Sequence, residues 1–419
     1  MDFSIRVAVE TILKEVSGGG GVAENVIVSP ASLDIVLRSL ACGAKGRTLD
    51  QMLDFLGGQG IDDLNSKAAA TMEVLRLAAP ENNPPVAADV DNDDNSRPYR
   101  RPKYDDEDVP AIVSCGNGIW VDRRFTVKAS FGKLLADIYR AESNTVDFQS
   151  QQPGEAVKEI NAWAEKSTNG RINNVLSPQD IESTTALVLT NALYFKAMWD
   201  DRFFPRCTSN NDFYLLDGTT TVTVPFMRTW ESMFYYASLD EFKVLELSYQ
   251  SGESKGSPRF SMYFFLPHKA EGLPEMLNQP LFRSSEALSQ TLGGLEVVRL
   301  KKVRIPKWKF ARRFEPTETM EKLGLTLPFK MTGDLAEMLE EGGELLYVSK
   351  VIQSACIAVD EDGTEAAAVS AVLPGIGAAR YSPPQEKFIA DHPFVFMIVE
   401  SKSQAVLFAG AVFNPQDQQ

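Results

Sequence analysis

Two histidines, His268 and His392, limit the acid–base chemistry this chain can do near neutral pH. A serine-type hydrolase needs a base, most often histidine, within reach of its nucleophile. One GxSxG match, Gly252-Glu253-Ser254-Lys255-Gly256, offers Ser254 for that role. A nucleophile elbow sits on a turn from strand to helix. Here the polar run continues through Ser257-Pro258-Arg259 into a strand-like stretch at 260–266, so the match reads as a loop between two strands. His268 follows Leu266-Pro267 and reads as the start of a turn, while His392, before Pro393 and an apolar run, reads as the start of a packed strand. Cys42, Cys115, Cys207 and Cys356 lie far apart with no CxxC pair. That removes the usual zinc and redox spacings and leaves reduced, mostly buried thiols. Neither a phosphate-binding GxxxxGK run nor an HExxH motif occurs. These residues give no enzyme, no cofactor and no metal site.

The elements around them are those of a soluble globular chain, with 44% hydrophobic and 24% charged residues. A formal charge of -15 argues against nucleic acid as a partner, because phosphate binding needs clustered cations. No window approaches the roughly 20 apolar residues of a membrane span. The start, Met1-Asp2-Phe3-Ser4-Ile5-Arg6-Val7, lacks the basic stretch and apolar run of a signal peptide, so a cytoplasmic or nuclear location is expected. Residues 3–16 have helical spacing and end at a glycine run, 18–21. Residues 25–30 read as a short buried strand, and Ser29 or Ser32 as the N-cap of a core helix over 33–42. Residues 80–110 combine Pro84-Pro85, acidic runs at 89–94 and 105–108, and the basic Arg97-Pro98-Tyr99-Arg100-Arg101. They read as a charged, Pro-rich, disordered loop insertion within one domain. Strands are predicted over 112–121, 186–195, 260–266 and 394–399, and a helix over 154–168. Helices dominate the first part and strands the last, which is α+β organisation.

One stretch matches neither a packed helix nor a solvated tail. From Gly363 to Leu373 the residues are small or β-branched, with almost no large or charged side chain. As a strand it has one face of Thr364, Ala366, Ala368, Ser370 and Val372, and another of Glu365, Ala367, Val369, Ala371 and Leu373. On entering a sheet, Glu365 must stay in solvent, since an unpaired buried carboxylate is very costly. The Thr364 set then faces inward, and Gly363 serves as a hinge without steric cost.

The words around this stretch carry a family resemblance. Glu361-Asp362-Gly363-Thr364-Glu365-Ala366-Ala367-Ala368 resembles the serpin hinge, and Phe388-Ile389-Ala390-Asp391-His392-Pro393-Phe394 the signature after the reactive loop. Residues 25–32 resemble the shutter segment, and Asn191-Ala192-Leu193-Tyr194-Phe195-Lys196-Ala197-Met198-Trp199 the strand that reaches the opening of the main sheet. Asn161-Ala162-Trp163 through Asn169-Gly170 and Leu323-Gly324-Leu325 also fit, so the chain is similar to serpins, most closely those of plants, in order from about residue 3 to 415.

That resemblance implies an α+β serpin fold of three β-sheets and about nine helices, one domain over 1–419, with hinge and exposed reactive-centre loop at 361–387. It assigns Glu361, Gly363, Thr364, Ala366, Ala367 and Ala368 to the hinge, and Ser29, Ser32, Asn191, Trp199 and Gln353 to the shutter and breach. The implied partner is a serine endopeptidase, or a papain-like cysteine one that reads Ile376, trapped in a covalent 1:1 complex by a monomer. Neither nucleic acid nor membrane is involved, and many family members act outside cells. Family spacing from Glu361 places the reactive bond at Gly377–Ala378, with Arg380 as the competing reactive residue. Three departures stand out: Gln353 in place of a histidine, able to hydrogen-bond toward Ser29 and Asn191 with a different geometry, Ile305-Pro306-Lys307-Trp308 in place of Phe-Pro-Lys-Phe, and Pro374-Gly375 late in the loop. The rival readings are a non-inhibitory serpin used for storage, carriage or interaction, and a hydrolase acting through Ser254.

Overall fold

The computed structural model describes residues 2–18, 23–79, 110–149, 154–252, 256–341, 345–364 and 386–417. Among them lie nine α-helices. These are α1 (Asp2–Ser17), α2 (Pro30–Ala41), α3 (Gly46–Leu56), α4 (Ile61–Leu77), α5 (Ala129–Leu134), α6 (Gly154–Ser167), α7 (Leu273–Leu277), α8 (Ser285–Gly293) and α9 (Thr317–Lys322). The strands are β1 (Val26–Val28), β2 (Ile112–Asp122), β3 (Ala141–Val146), β4 (Leu187–Met198), β5 (Ser209–Tyr214), β6 (Thr221–Thr229), β7 (Ser232–Ser238), β8 (Phe242–Ser248) and β9 (Phe260–Pro267). They continue as β10 (Glu296–Leu300), β11 (Lys302–Pro306), β12 (Trp308–Phe314), β13 (Val348–Val359), β14 (Gly363–Thr364), β15 (Lys387–Ile389), β16 (Phe394–Glu400) and β17 (Val406–Val412).

These strands form three sheets: six-stranded β12-β13-β14-β4-β2-β3, seven-stranded β1-β17-β16-β9-β8-β7-β10, and four-stranded β15-β11-β6-β5. Burial follows the two-residue period of a strand. In β16, Phe394, Phe396 and Ile398 enter the core shared with the six-stranded sheet, while Val395, Met397 and Val399 enter a second core under α1, α7 and α8. Helix α1 joins the two cores by its own period. Ile5, Ala8, Val9 and Ile12 point to the second core, and Phe3 and Val7 to the first.

Helix α2 starts at Pro30, three residues before the predicted Leu33. Ser29 is extended and its hydroxyl accepts the Ser32 N–H, so of the two candidate caps Ser29 is the one used. Pro30 takes the first helical position, where a missing N–H costs nothing. Every residue of α2 is buried, and its Asp34 and Arg38 answer each other through hydrogen bonds of 2.6 and 2.8 Å. On the outer face of the six-stranded sheet α6 sets Ile160, Trp163 and Ala164 against Trp120, Val188, Ala192 and Ile352. All four cysteines are free thiols, each with most of its surface covered, as expected. Gly252 and Gly256 lie between β8 and β9, as the loop reading of the GxSxG match requires; Ser254 itself is outside the described residues.

Candidate functional site

The six-stranded sheet is split at one end. β13 and β4 pair directly and in parallel from Val348 opposite Leu187 to Ala355 opposite Leu193. Beyond that they part, and the two residues of β14 lie antiparallel to both, Thr364 opposite Val359 and Ala197, Gly363 opposite Met198. A four-residue turn at 360–363 makes this reversal. The Asp360 N–H donates to Gly363 O at 3.0 Å, and the Asp360 carboxylate accepts the Asp362 and Gly363 N–H groups at 3.0 and 3.3 Å. Only glycine fits at 363. A Cβ there would stand 2.8 Å from Met198 Cα and inside contact distance of the Ala197 carbonyl.

The turn at 360–363 is held from three sides. Trp199 donates through its backbone N–H to Asp362 O and through Nε1 to Asp360 O, each at 2.9 Å. Its ring stacks on Tyr249 at 4.4 Å, and the Tyr249 hydroxyl meets Thr364 Oγ1 at 2.6 Å. Burial pushes the Tyr249 phenol well above its usual range, so it stays a neutral hydrogen-bonding group. Glu361 accepts Lys307 Nζ and Thr208 Oγ1, both at 2.6 Å, and its carbonyl accepts the Phe203 N–H. Burial pulls the Glu361 carboxyl upward, but Lys307 and Thr208 outweigh it and hold the group below its ordinary value. Burial raises Asp360, against the hydrogen bonds it accepts from Asp362 and Gly363.

Below the split, a second polar cluster crosses the core between α2 and the sheet. The Gln353 amide clasps one peptide unit on each side: Oε1 accepts the Ser29 N–H at 2.6 Å and Nε2 donates to Ser29 O at 3.0 Å. Nε2 also reaches Asn191 Oδ1 at 3.4 Å. Asn191 Nδ2 donates to Gly116 O at 3.1 Å and Asn117 Oδ1 at 2.9 Å, and Ser29 Oγ donates to Ser32 Oγ at 2.9 Å. The Cys115 thiol lies among them, 3.9 Å from Ser32 Oγ and 3.8 Å from Asn191 Nδ2, and burial pushes it up to about 11.

The structure thus brings Ser29, Ser32, Asn191 and Gln353 into one cluster and Trp199, Glu361, Gly363 and Thr364 into another. Ala366, Ala367, Ala368, Pro374, Gly375, Gly377, Ala378 and Arg380 lie outside the described residues. Sequence reasoning missed Thr208, Tyr249, Asn117 and Cys115 as members of these clusters. None sits in a motif: Cys115 and Asn117 come from β2, Thr208 from the turn before β5 and Tyr249 from just past the end of β8. Lys307 had been noted only as part of Ile305-Pro306-Lys307-Trp308; its neighbour Trp308 packs 5.5 Å from the ring of Phe394 and 5.9 Å from that of Phe396. His268 contacts Leu239 O at 2.7 Å, and His392 contacts Asp391 Oδ1 at 2.8 Å and Pro267 O at 2.9 Å. Among the described residues neither histidine faces a nucleophile, no metal-binding group of side chains forms, and no helix is long and apolar enough to cross a membrane.

A split sheet with a two-residue strand wedged into its end has close relatives. The family model described as serpin (serine protease inhibitor) matches residues 2–415. Serpin-ZX of Arabidopsis thaliana is 38% identical over 93% of this chain and 92% of its own length. Serpin-ZXA of Oryza sativa subsp. japonica is 36% identical over 99% and 96%. A solved structure of Arabidopsis AtSerpin1, in a native stressed conformation, superposes with a TM-score of 0.80 at 34% identity and covers 99% of this chain and 98% of that one. The chain belongs to the serpin (serine protease inhibitor) family.

Proposed function

We propose that this serpin, a protease inhibitor and not an enzyme, is a suicide inhibitor of serine endopeptidases, with papain-like cysteine endopeptidases as a second target class. On this reading residues 1–419 form one domain that acts as a monomer, with 361–387 as hinge and reactive loop. The protease nucleophile attacks the Gly377 carbonyl carbon, the Gly377–Ala378 bond breaks, and the amine leaves on Ala378 while Gly377 stays as the acyl group. The freed segment then enters the six-stranded sheet between β4 and β13, before water can release the acyl group.

One observation carries the proposal: β14 already occupies the first two positions of such a strand, with β4 and β13 paired directly below it. Insertion would replace one parallel pairing by antiparallel ladders on both sides of the new strand, a gain in pairing. Thr364 sets the faces, since it is buried and bonded to Tyr249. Residues at even spacing from it would face inward, and full burial of Val372 contributes roughly 1.5–3 kcal/mol.

The test mixes the protein with elastase-like, trypsin-like and papain-like proteases, followed by denaturing gels and sequencing of the released C-terminal peptide. A detergent-resistant complex with a peptide starting at Ala378 is the expected result. A peptide starting at Tyr381 moves the reactive residue to Arg380. Cleavage without a complex, and without a gain in heat stability, would overturn the inhibitory reading in favour of a storage, carrier or interaction protein.

A further inference from the structure

The four-stranded sheet carries positive charge that the described chain does not answer. Lys302 stands opposite Lys387 across β11 and β15, and Arg304 opposite Arg228 across β11 and β6. Like charges directly opposed weaken strand pairing. Partial burial, then Arg304, Arg228 and Lys387, hold the Lys302 ammonium below the ordinary lysine range. The Nε groups of Arg228 and Arg304 are buried with no hydrogen-bond partner. Arg304 reaches the neutral Asn211 at 3.0 Å, and Arg228 lies over the Trp230 ring at 4.3 Å. Among the described residues none of the four cations enters an ion pair. The adjacent carboxylate, Glu386, accepts from the Tyr236 hydroxyl at 3.1 Å. Residues 366–385 contain no Asp or Glu, so the neighbouring loop cannot neutralise the cluster, although the chain as a whole is at -15.

Its place gives the cluster a role. β15 begins at Lys387, and the backbone just before it is tied down where the Lys301 N–H donates to Glu386 O at 2.9 Å. Ala378 through Gln385 are eight residues, which span at most about 28 Å when fully extended. A protease domain of about 220 residues is roughly 45 Å across. A protease seated on the Gly377–Ala378 bond is therefore within reach of this sheet, and one seated after Arg380 is held by a shorter tether.

We propose that Arg228, Lys302, Arg304 and Lys387 form a docking surface for the target protease, selecting proteases whose surface beyond the carboxyl-terminal side of the cleaved bond is acidic. The inference rests on the inhibitory reading above. Such a surface acts on encounter: it raises the association rate, and salt suppresses the gain.

The experiment measures second-order rates of complex formation with the same three proteases from about 20 to about 300 mM salt, where the screening length falls from roughly 20 to 6 Å. Three proteins are compared with the wild type: Lys387→Glu, the double variant Lys302→Gln/Lys387→Gln, and Lys402→Glu. Lys402 lies in the turn after β16 and controls for net charge. With the trapped protease, the wild-type rate is expected to fall about tenfold with salt. Lys387→Glu and the double variant should lose most of the low-salt rate and of its salt dependence. Lys402→Glu should behave as wild type, trapping stoichiometry should not change in any variant, and heat stability should not fall in the two cluster variants, where the like-charge pairing of Lys302 and Lys387 is relieved. Equal rates for wild type and Lys387→Glu overturn the inference alone, and a faster Lys387→Glu overturns the acidic partner. A wild type that traps none of the three overturns the inhibitory reading, and this inference with it. Removing residues 84–108, which hold the chain's acidic runs, should leave the rate unchanged. A large gain at low salt would mean that this acid already occupies the cluster, and would overturn the assignment to a protease.

Discussion

Gln353 does with one amide what a peptide group does in a sheet, accepting from Ser29 N–H and donating to Ser29 O. Gln353→Ala leaves both groups buried and unpaired, which costs about 2–4 kcal/mol. The first unfolding transition in urea should shift down accordingly. Gln353→His keeps one donor and one acceptor and should lose less; equal losses would mean that the contact with Ser29 is not what Gln353 supplies. Glu361 gives the hinge a pH dependence of known sign. Its carboxyl titrates below its ordinary value of 4.5 in the folded protein, so its stabilisation is complete above that pH and is lost as pH falls through the lower folded value. Glu361→Gln should therefore flatten the acid side of the stability profile below about pH 4.5 and weaken the hinge at neutral pH. An unchanged acid limb would mean that the Lys307 contact does not anchor the turn.

At the scale of the element, β14 is the sensitive part. It has two residues and no strand signal of its own length, and exists because β4 and β13 leave unpaired backbone where they diverge. Gly363→Ala drives a Cβ into the β4 backbone and should displace β14. Trapping should drop roughly tenfold or more, since ~1.4 kcal/mol on the insertion step is a factor of ten, while the loop stays cleavable. Ala368→Arg, on the Thr364 face, is expected to abolish trapping by placing a charge inward at a cost of several kcal/mol. A variant that still trapped at the wild-type stoichiometry would sink this choice of faces.

For the whole molecule, the parallel contact between β4 and β13 stands where a stronger antiparallel arrangement could form, so cleavage should release stability rather than remove it. Nicking the loop with a non-target protease is expected to raise the unfolding temperature by more than about 10 °C, from roughly ten added backbone hydrogen bonds at about 1 kcal/mol each. Scanning calorimetry before and after cleavage reads this directly. A lower or unchanged transition would mean that the segment does not enter the sheet.

Much of this protein is local in origin and could be read from residue order. Helix α1 lies within one residue of its predicted ends, and β2, β4, β9 and β16 within three, because burial imposes periods of 3.6 and 2 on neighbouring residues. The small-residue stretch at 363–373 is also a statement about neighbouring residues, but beyond Thr364 it lies outside the described residues. The end of β4 was not. It runs to Met198, past the predicted Phe195, because β14 pairs there with Ala197 and Met198. The cap at Ser29 was one of two chemically equal choices until the backbone seated Pro30 in the helix. The resemblance already turned Gln353 toward Ser29 and Asn191, and the structure adds the two-bond clasp on Ser29; the bond of Tyr249 to Thr364, 115 residues apart, had no such guide. The four cations come together because β6, β11 and β15 are neighbours in one sheet. The sequence by itself determined the family and most of these elements. Only the tertiary structure decided which distant groups meet, since a contact across a fold depends on register and topology, which no local period records.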